Sequence, residues 1–177
     1  MAERPPPRFY GVRTYLDPHG RFFFRYPTGW YQFELADGRE GVLFSPEAVN
    51  PQTWFSVWIR RLDAHVVAED LDDLRVGVDE GLAQLPECRI ESQAEEVLSN
   101  LIKFERIYTF REEGVIRKRK VWILYVDTWQ MVVTWQGATE EEYKYWLPMG
   151  NYAFFTFNLP PELWFATDRD LSGYTRM

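Results

Sequence analysis

Between Leu101 and Gln136 the chain spells three extended runs separated by two tight turns, and this block constrains the fold more than any other feature. Leu101–Arg111 and Val115–Asp127 are joined by Glu112-Glu113-Gly114, with the glycine where a short hairpin loop needs a left-handed residue. Gln130–Gln136 returns after a second turn at Asp127-Thr128. Strands joined by turns this short run antiparallel, because a parallel pair needs a crossover of a dozen residues or more. The middle run contains WILYV, Trp122 to Val126, which is apolar on both faces. The sheet it belongs to therefore has to be covered on each side.

The rest of the chain supplies more strands and the covers. Asp17-Pro18-His19-Gly20 places Asp, Pro and Gly where a type I turn wants them. RFFFRYP follows as a short strand, ended by Pro27-Thr28-Gly29. Trp30–Leu35 alternates as a second strand, and Asp37-Gly38 signals a hairpin into Val42–Ser45. After the loop Pro46–Gln52, TWFSVWIRRL points Phe55, Val57 and Ile59 one way and Trp54, Ser56, Trp58 and Arg60 the other. The period then changes. Leu71, Leu74, Val78, Leu82 and Leu85 mark an amphipathic helix from about Asp70 to Leu85, led by acidic residues and stopped by Pro86. Ile90–Leu98 is a weakly signalled, acidic strand. Thr139 caps a closing helix carrying Tyr143, Leu147, Phe154 and Phe157, interrupted or restarted at Pro148. The class that follows is α+β: an antiparallel sheet with helices on both faces, a three-layer sandwich. Residues 9–165 form one domain, after a Pro-rich mobile lead-in over 1–8 and before a tail over 166–177.

Rings make up 18% of the 177 residues. Each hides roughly 150–250 Å² on burial, so most of them must be core. YPTGWYQF, Tyr26 to Phe33, packs several at one corner, and Tyr26 and Trp30 read as anchors where the chain turns between strands. The formal charge of −7 argues against a nucleic-acid grip, which needs a basic face. The single cysteine, Cys88, excludes an internal disulfide framework and fits a reducing compartment. No apolar run reaches the roughly 20 residues needed to span a membrane, and the start has no apolar signal segment. These features together point to a cytoplasmic protein.

The order of motifs resembles the PsbP-like and Mog-type domains, which include DcrB-like bacterial proteins. DPHGRFFFRYPTGW is similar to their entry of glycine, short strand and Tyr-Pro-x-x-Trp, and VLFSPEAVNPQTWFSVWIRRL to their next pair of strands. ATEEEYKYWLPMGNYAFFTFNL resembles their closing helix, here ending in Thr156-Phe157. The resemblance covers nearly the whole chain, in order, through loose aromatic patterns. It implies the α/β/α sandwich and a binding or assembly role, without carrying over any functional residue. Metal-handling positions of the photosystem branch find no match here.

No nucleophile stands beside a base. Cys88 has only Arg89 as a local cation, and His19 and His65 lack metal-ligand spacing. The acidic run Glu69–Asp73 belongs to a helix start. Gly77 and Gly81 read as a close approach of the first helix to the sheet. No cofactor or metal is implied, and the chain is not expected to be an enzyme. The candidate partner surface is Trp54, Trp58 and Arg60, since Trp and Arg are enriched at binding hot spots. Arg117 and Arg119, within the basic run Arg117–Lys120, join it as a docking site for an acidic partner, set against a solvated hairpin arm. Trp164 and Phe165 sit on a tail that docks on its own domain or on a second copy, so a homodimer is conceivable from sequence. The alternative is a small apolar ligand carrier or enzyme of the helix-grip type. The position of the first helix, after four strands, argues against that layout.

Overall fold

The computed structural model describes residues 3–168. A hairpin of β1 (Val12–Leu16) and β2 (Phe23–Pro27) precedes the main sheet. Its turn closes where Gly20 N–H donates to the Asp17 carbonyl at 2.8 Å. The Asp17 carboxylate then grips Arg21 through Nε at 2.6 Å and Nη2 at 3.0 Å. β1 has no counterpart among the strands expected from sequence. Apart from half-buried Tyr15 its side chains are exposed, so it carries no apolar alternation to read.

The remaining strands are β3 (Tyr31–Phe33), β4 (Gly41–Ser45), β5 (Trp54–Arg61), β6 (Arg89–Leu98), β7 (Leu101–Glu112), β8 (Val115–Val126) and β9 (Trp129–Gly137). They form one sheet in the order β3-β4-β5-β9-β8-β7-β6, every neighbour antiparallel. The meander read from Leu101 to Gln136 is thus β7-β8-β9, and Ile90–Leu98 proves to be part of a ten-residue edge strand. Glu113 and Asp127, both at positive φ, turn the two hairpins. The strand expected at Trp30–Leu35 shrinks to three residues.

Helix α1 (Leu71–Ala83) lies on one face, with Val78 and Leu82 buried against Ile102, Phe104, Tyr108 and Val121. On the other face sit α2 (Glu140–Thr156), α3 (Pro161–Thr167) and the β1–β2 hairpin. The expected α+β sandwich is the observed architecture, and it is not a sheet wrapped round one helix. Two details differ. Pro148 lies inside a continuous 17-residue α2, and the aromatic tail is a short helix with Pro161 in its first turn, where the missing N–H costs nothing.

The α2 face is closely packed. Phe24, Phe44, Phe55 and Trp135 are fully buried, and Phe55 meets Phe154 edge to face with ring centroids 5.3 Å apart. A Cβ at Gly150 would fall 2.7 Å from the Trp135 ring, so α2 needs glycine to lie this close. Tyr26 stacks on Phe44 at 3.9 Å, and Trp30 stacks on Trp135 at 5.9 Å. Both corner rings are part of the packing between layers. From residue 3 the Pro-rich lead-in runs along α2, with the Tyr145 hydroxyl donating to the Pro5 carbonyl at 2.8 Å and the Arg4 guanidinium over the Tyr145 ring.

Candidate functional site

On the opposite face α1 covers only part of the sheet. It packs over β7 and β8, while β5 and β9 beside it carry no helix. The uncovered strip is a groove of about 950 Å³, bounded by α1 on one side and the β3–β4 hairpin on the other. The alternation of β5 puts Trp54, Ser56, Trp58 and Arg60 on its floor, and register pairs these with Gln136, Thr134, Val132 and Gln130 of β9. The next strand adds Arg119, Val121, Ile123 and Tyr125 from β8.

Hydrogen bonds and rings hold the cations of this face. Arg60 donates through Nε to the Gln130 side-chain oxygen, and Gln130 in turn donates to the Tyr125 hydroxyl at 3.0 Å. Arg119 donates through Nε to Gln136 at 2.7 Å, and its guanidinium lies 5.4 Å from the Trp54 ring and 4.4 Å from Phe110. Arg39, carried in by the β3–β4 hairpin, lies 5.0 Å from the Trp58 ring, with Arg60 5.8 Å from the same ring. Each such cation–ring contact is worth about 0.5–1 kcal/mol at an exposed site. Among the described residues, no carboxylate stands within ion-pair distance of Arg39, Arg60 or Arg119. Burial pushes the Tyr108 hydroxyl up, against a smaller opposite pull from Arg119, and does the same to Tyr125. Both stay neutral hydrogen-bonding groups at physiological pH.

The structure brings together four of the seven residues singled out from sequence: Trp54, Trp58, Arg60 and Arg119. Arg117 shares their face but is buried at its end, with Nε donating to Glu112 at 2.9 Å and Nη1 to the Ala138 carbonyl at 3.0 Å. The basic run is therefore not a solvated arm. Lys118 pairs with Glu91 at 2.7 Å, and Lys120 reaches Asn151 on the α2 face at 3.3 Å. Only Arg119 of the four enters the groove. Trp164 and Phe165 lie on α3, across the sheet, with the Trp164 ring N–H donating to Asn158 at 3.0 Å. Trp164 lines a separate apolar hollow of about 260 Å³ beside the exposed Phe155 ring, and Phe165 is exposed.

Gly77 and Gly81 do not press α1 onto the sheet as expected. A Cβ at either would meet nothing within 4 Å, and both line the groove. The residues that sequence reading missed are Arg39, Gln130 and Gln136. The glutamines had a signal, as polar side chains at one parity of an otherwise apolar strand; Arg39 had none.

Cys88 is half-buried and burial pushes its thiol up, the reverse of what a nucleophile needs. His19 faces Glu40 at 3.8 Å, and His65 lies 3.0 Å from Asp127. Among the described residues no His, Cys, Asp or Glu groups cluster as a metal site. No described helix is long and apolar enough to cross a membrane.

No protein-family model and no curated protein sequence matches the chain. Solved structures do. Cyanobacterial PsbP (CyanoP) from Synechocystis sp. PCC 6803 superposes with a TM-score of 0.59 at 10% identity, over 90% of this chain and 99% of that one. LpqN of Mycobacterium tuberculosis, a protein involved in cell envelope biogenesis, superposes at 0.58 and 11% identity, over 84% of this chain and 92% of LpqN. A protein from Bacteroides thetaiotaomicron gives 0.55 at 16% identity, over 83% of this chain and 48% of that longer one. At these identities the likeness is one of fold. The chain has the fold of these PsbP-like structures, an α/β/α sandwich, with its α1 face only half covered.

Proposed function

We propose that this chain is a non-catalytic accessory domain that works by binding a protein partner across the groove on its α1 face. The observation that carries the reading is the groove itself, where half-buried Trp54 and Trp58 stand beside three arginines that have no carboxylate partner among the described residues. Trp and Arg are the residues that most often dominate binding energy, and they do so when water is excluded around them. The cyanobacterial PsbP and LpqN folds are compatible with an accessory role of this kind. A cytoplasmic site of action belongs to the same proposal and rests on the lone cysteine, which fits a reducing compartment.

The test is affinity capture from the producing cell with wild-type protein, Trp58→Ala, Arg119→Ala and, as a control on the opposite face, Phe155→Ala. A partner recovered by wild type and Phe155→Ala, and lost with both groove variants, supports the proposal. Recovery unaffected by the groove variants overturns it. Cell fractionation tests the location.

A second reading keeps the groove and changes its occupant. At about 950 Å³ it lies at the upper end of small-molecule sites, roughly 300–1,000 Å³, and its floor sets Trp54, Trp58, Val132 and Ile123 among polar side chains. A small amphiphile retained through purification would appear by native mass spectrometry as a mass shift absent from Trp58→Ala.

A further inference from the structure

We infer that the occupant of the groove is an amphipathic helix with acidic residues at the two ends of its apolar stripe, laid beside α1 over β5 and β9. This rests on the reading of the groove as the partner-binding face, and it names the chemistry of the partner.

Backbone chemistry comes first. β5 pairs with β4 on one side and β9 on the other, and β9 pairs with β5 and β8. The floor is the middle of the sheet, so its main-chain donors and acceptors are already used. An extended peptide lying there would gain no ladder and would bury its own unpaired N–H and C=O groups. A helix satisfies its backbone internally and brings only side chains to the floor.

Dimensions agree. Arg60 stands opposite Gln130, and six residues along β9 Gln136 stands beside Arg119. At about 3.3 Å per residue the two cationic ends are roughly 20 Å apart along the strands. That is the length of a helix of about 13 residues. A helix is also about 10 Å across, and adjacent strands lie about 4.8 Å apart, so one helix covers two strands. α1 already does this over β7 and β8.

The charge sets the sign. Arg39, Arg60 and Arg119 line the groove against Asp37 alone, in a chain whose formal charge is −7. Elsewhere the three buried arginines among the described residues, Arg21, Arg106 and Arg117, each face a carboxylate. The groove arginines are instead held by glutamine oxygens and rings, which orient a guanidinium without neutralising it. Acidic groups at both ends of a ligand would complete them, and Trp54, Trp58, Val132 and Ile123 would take the apolar stripe between. The wall that α1 presents is low at Gly77 and Gly81, which lets a neighbouring helix approach its backbone.

A displayed library of 16-residue peptides on a helical scaffold, with one face randomised, tests this against the full chain. The expected winners carry apolar residues at helical spacing with Asp or Glu at both ends of the stripe. Their binding, read by fluorescence anisotropy, weakens about 10-fold or more in Trp58→Ala and in the exposed-site variant Arg60→Glu, and is unchanged in Phe155→Ala. Raising salt weakens it further. Winners with period-two alternation, with Lys or Arg at the ends, or with binding indifferent to Trp58 and Arg60 overturn the inference. So does an empty selection, or Trp58-dependent binding of a single-stranded 12-nucleotide DNA probe. The two readings fail separately. Selected acidic helices alongside native capture that ignores Trp58 would sink the proposed function alone, whereas Trp58-dependent native capture with extended or basic winners would sink only this inference.

Discussion

The two faces of the sheet differ in residues and in state: β5 and β9 turn Phe55, Val57, Ile59, Met131, Val133 and Trp135 toward α2, and Trp54, Ser56, Trp58, Arg60, Gln130 and Thr134 toward the groove. Beneath α2, rings interlock and the helix comes so close that a methyl group at Gly150 would strike the Trp135 ring. On α1, Gly77 and Gly81, one helical turn apart, look onto open space. Arg21, at the hairpin on the α2 side, is gripped by Asp17, and Arg106 and Arg117 on the α1 side also face carboxylates, while Arg60 and Arg119 in the groove meet none among the described residues. A tightly packed face holds the fold, and the half-open one leaves a groove beside α1.

The comparison breaks most readily at its tryptophans. Trp135→Ala removes a fully buried ring and should lower the unfolding free energy by about 3–5 kcal/mol. Trp58→Ala should cost about 1 kcal/mol, as for a partly exposed side chain with little packed on it. Denaturant titration of both variants decides, and equal losses would mean the groove is core after all.

Next in size is the Asp17–Arg21 pair. Breaking so buried a pair with Asp17→Ala should cost about 3 kcal/mol, read by the same titration. Its pH dependence has a definite sign. Burial pushes the Asp17 carboxyl up, but the hydrogen bonds and charge of Arg21 outweigh this and leave it below its ordinary value. A carboxyl lowered by folding contributes stability that is present in full above its unfolded value, near pH 4. That contribution is lost as pH falls through the depressed folded value. Wild type should therefore lose stability faster than Asp17→Ala on acidification below about pH 4, in melts at stepped pH. Parallel curves would remove the pair from the account of the closed side.

The glycines sharpen the contrast on a smaller scale. Gly150→Ala overpacks α2 against Trp135 and should destabilise by about 1–3 kcal/mol. Gly77→Ala and Gly81→Ala enter open space on a helix, so each should raise stability by about 0.5–1 kcal/mol through helix propensity. Thermal melts of the three distinguish the faces by sign. If Gly81→Ala destabilised as Gly150→Ala does, α1 would be pressed on something after all.

Much of the fold was legible because its signals are local. The meander from Leu101 to Gln136 shows in its turns, and α1 shows in the spacing of Leu71, Leu74, Val78 and Leu82. Of the site, the parity of β5 already put Trp54, Trp58 and Arg60 together. β1 escaped because an exposed hairpin strand has no apolar period. Pro148 misled because local chemistry says break, whereas packing of Tyr143, Met149 and Phe154 on either side of it favours one continuous helix.

What the residues determined unaided was therefore the inventory: antiparallel strands, two main helices, and an apolar supply large enough for two buried faces. Those properties depend on neighbours a few positions apart, through backbone sterics and the periods of helix and strand. The strand order placing β9 between β5 and β8 was decided only in three dimensions, and with it which arginines found carboxylates. So was the landing of α1 on β7 and β8, which left the adjacent strip bare. Each of these depends on long-range packing, where the energy of a side chain is set by whatever the fold happens to bring opposite it.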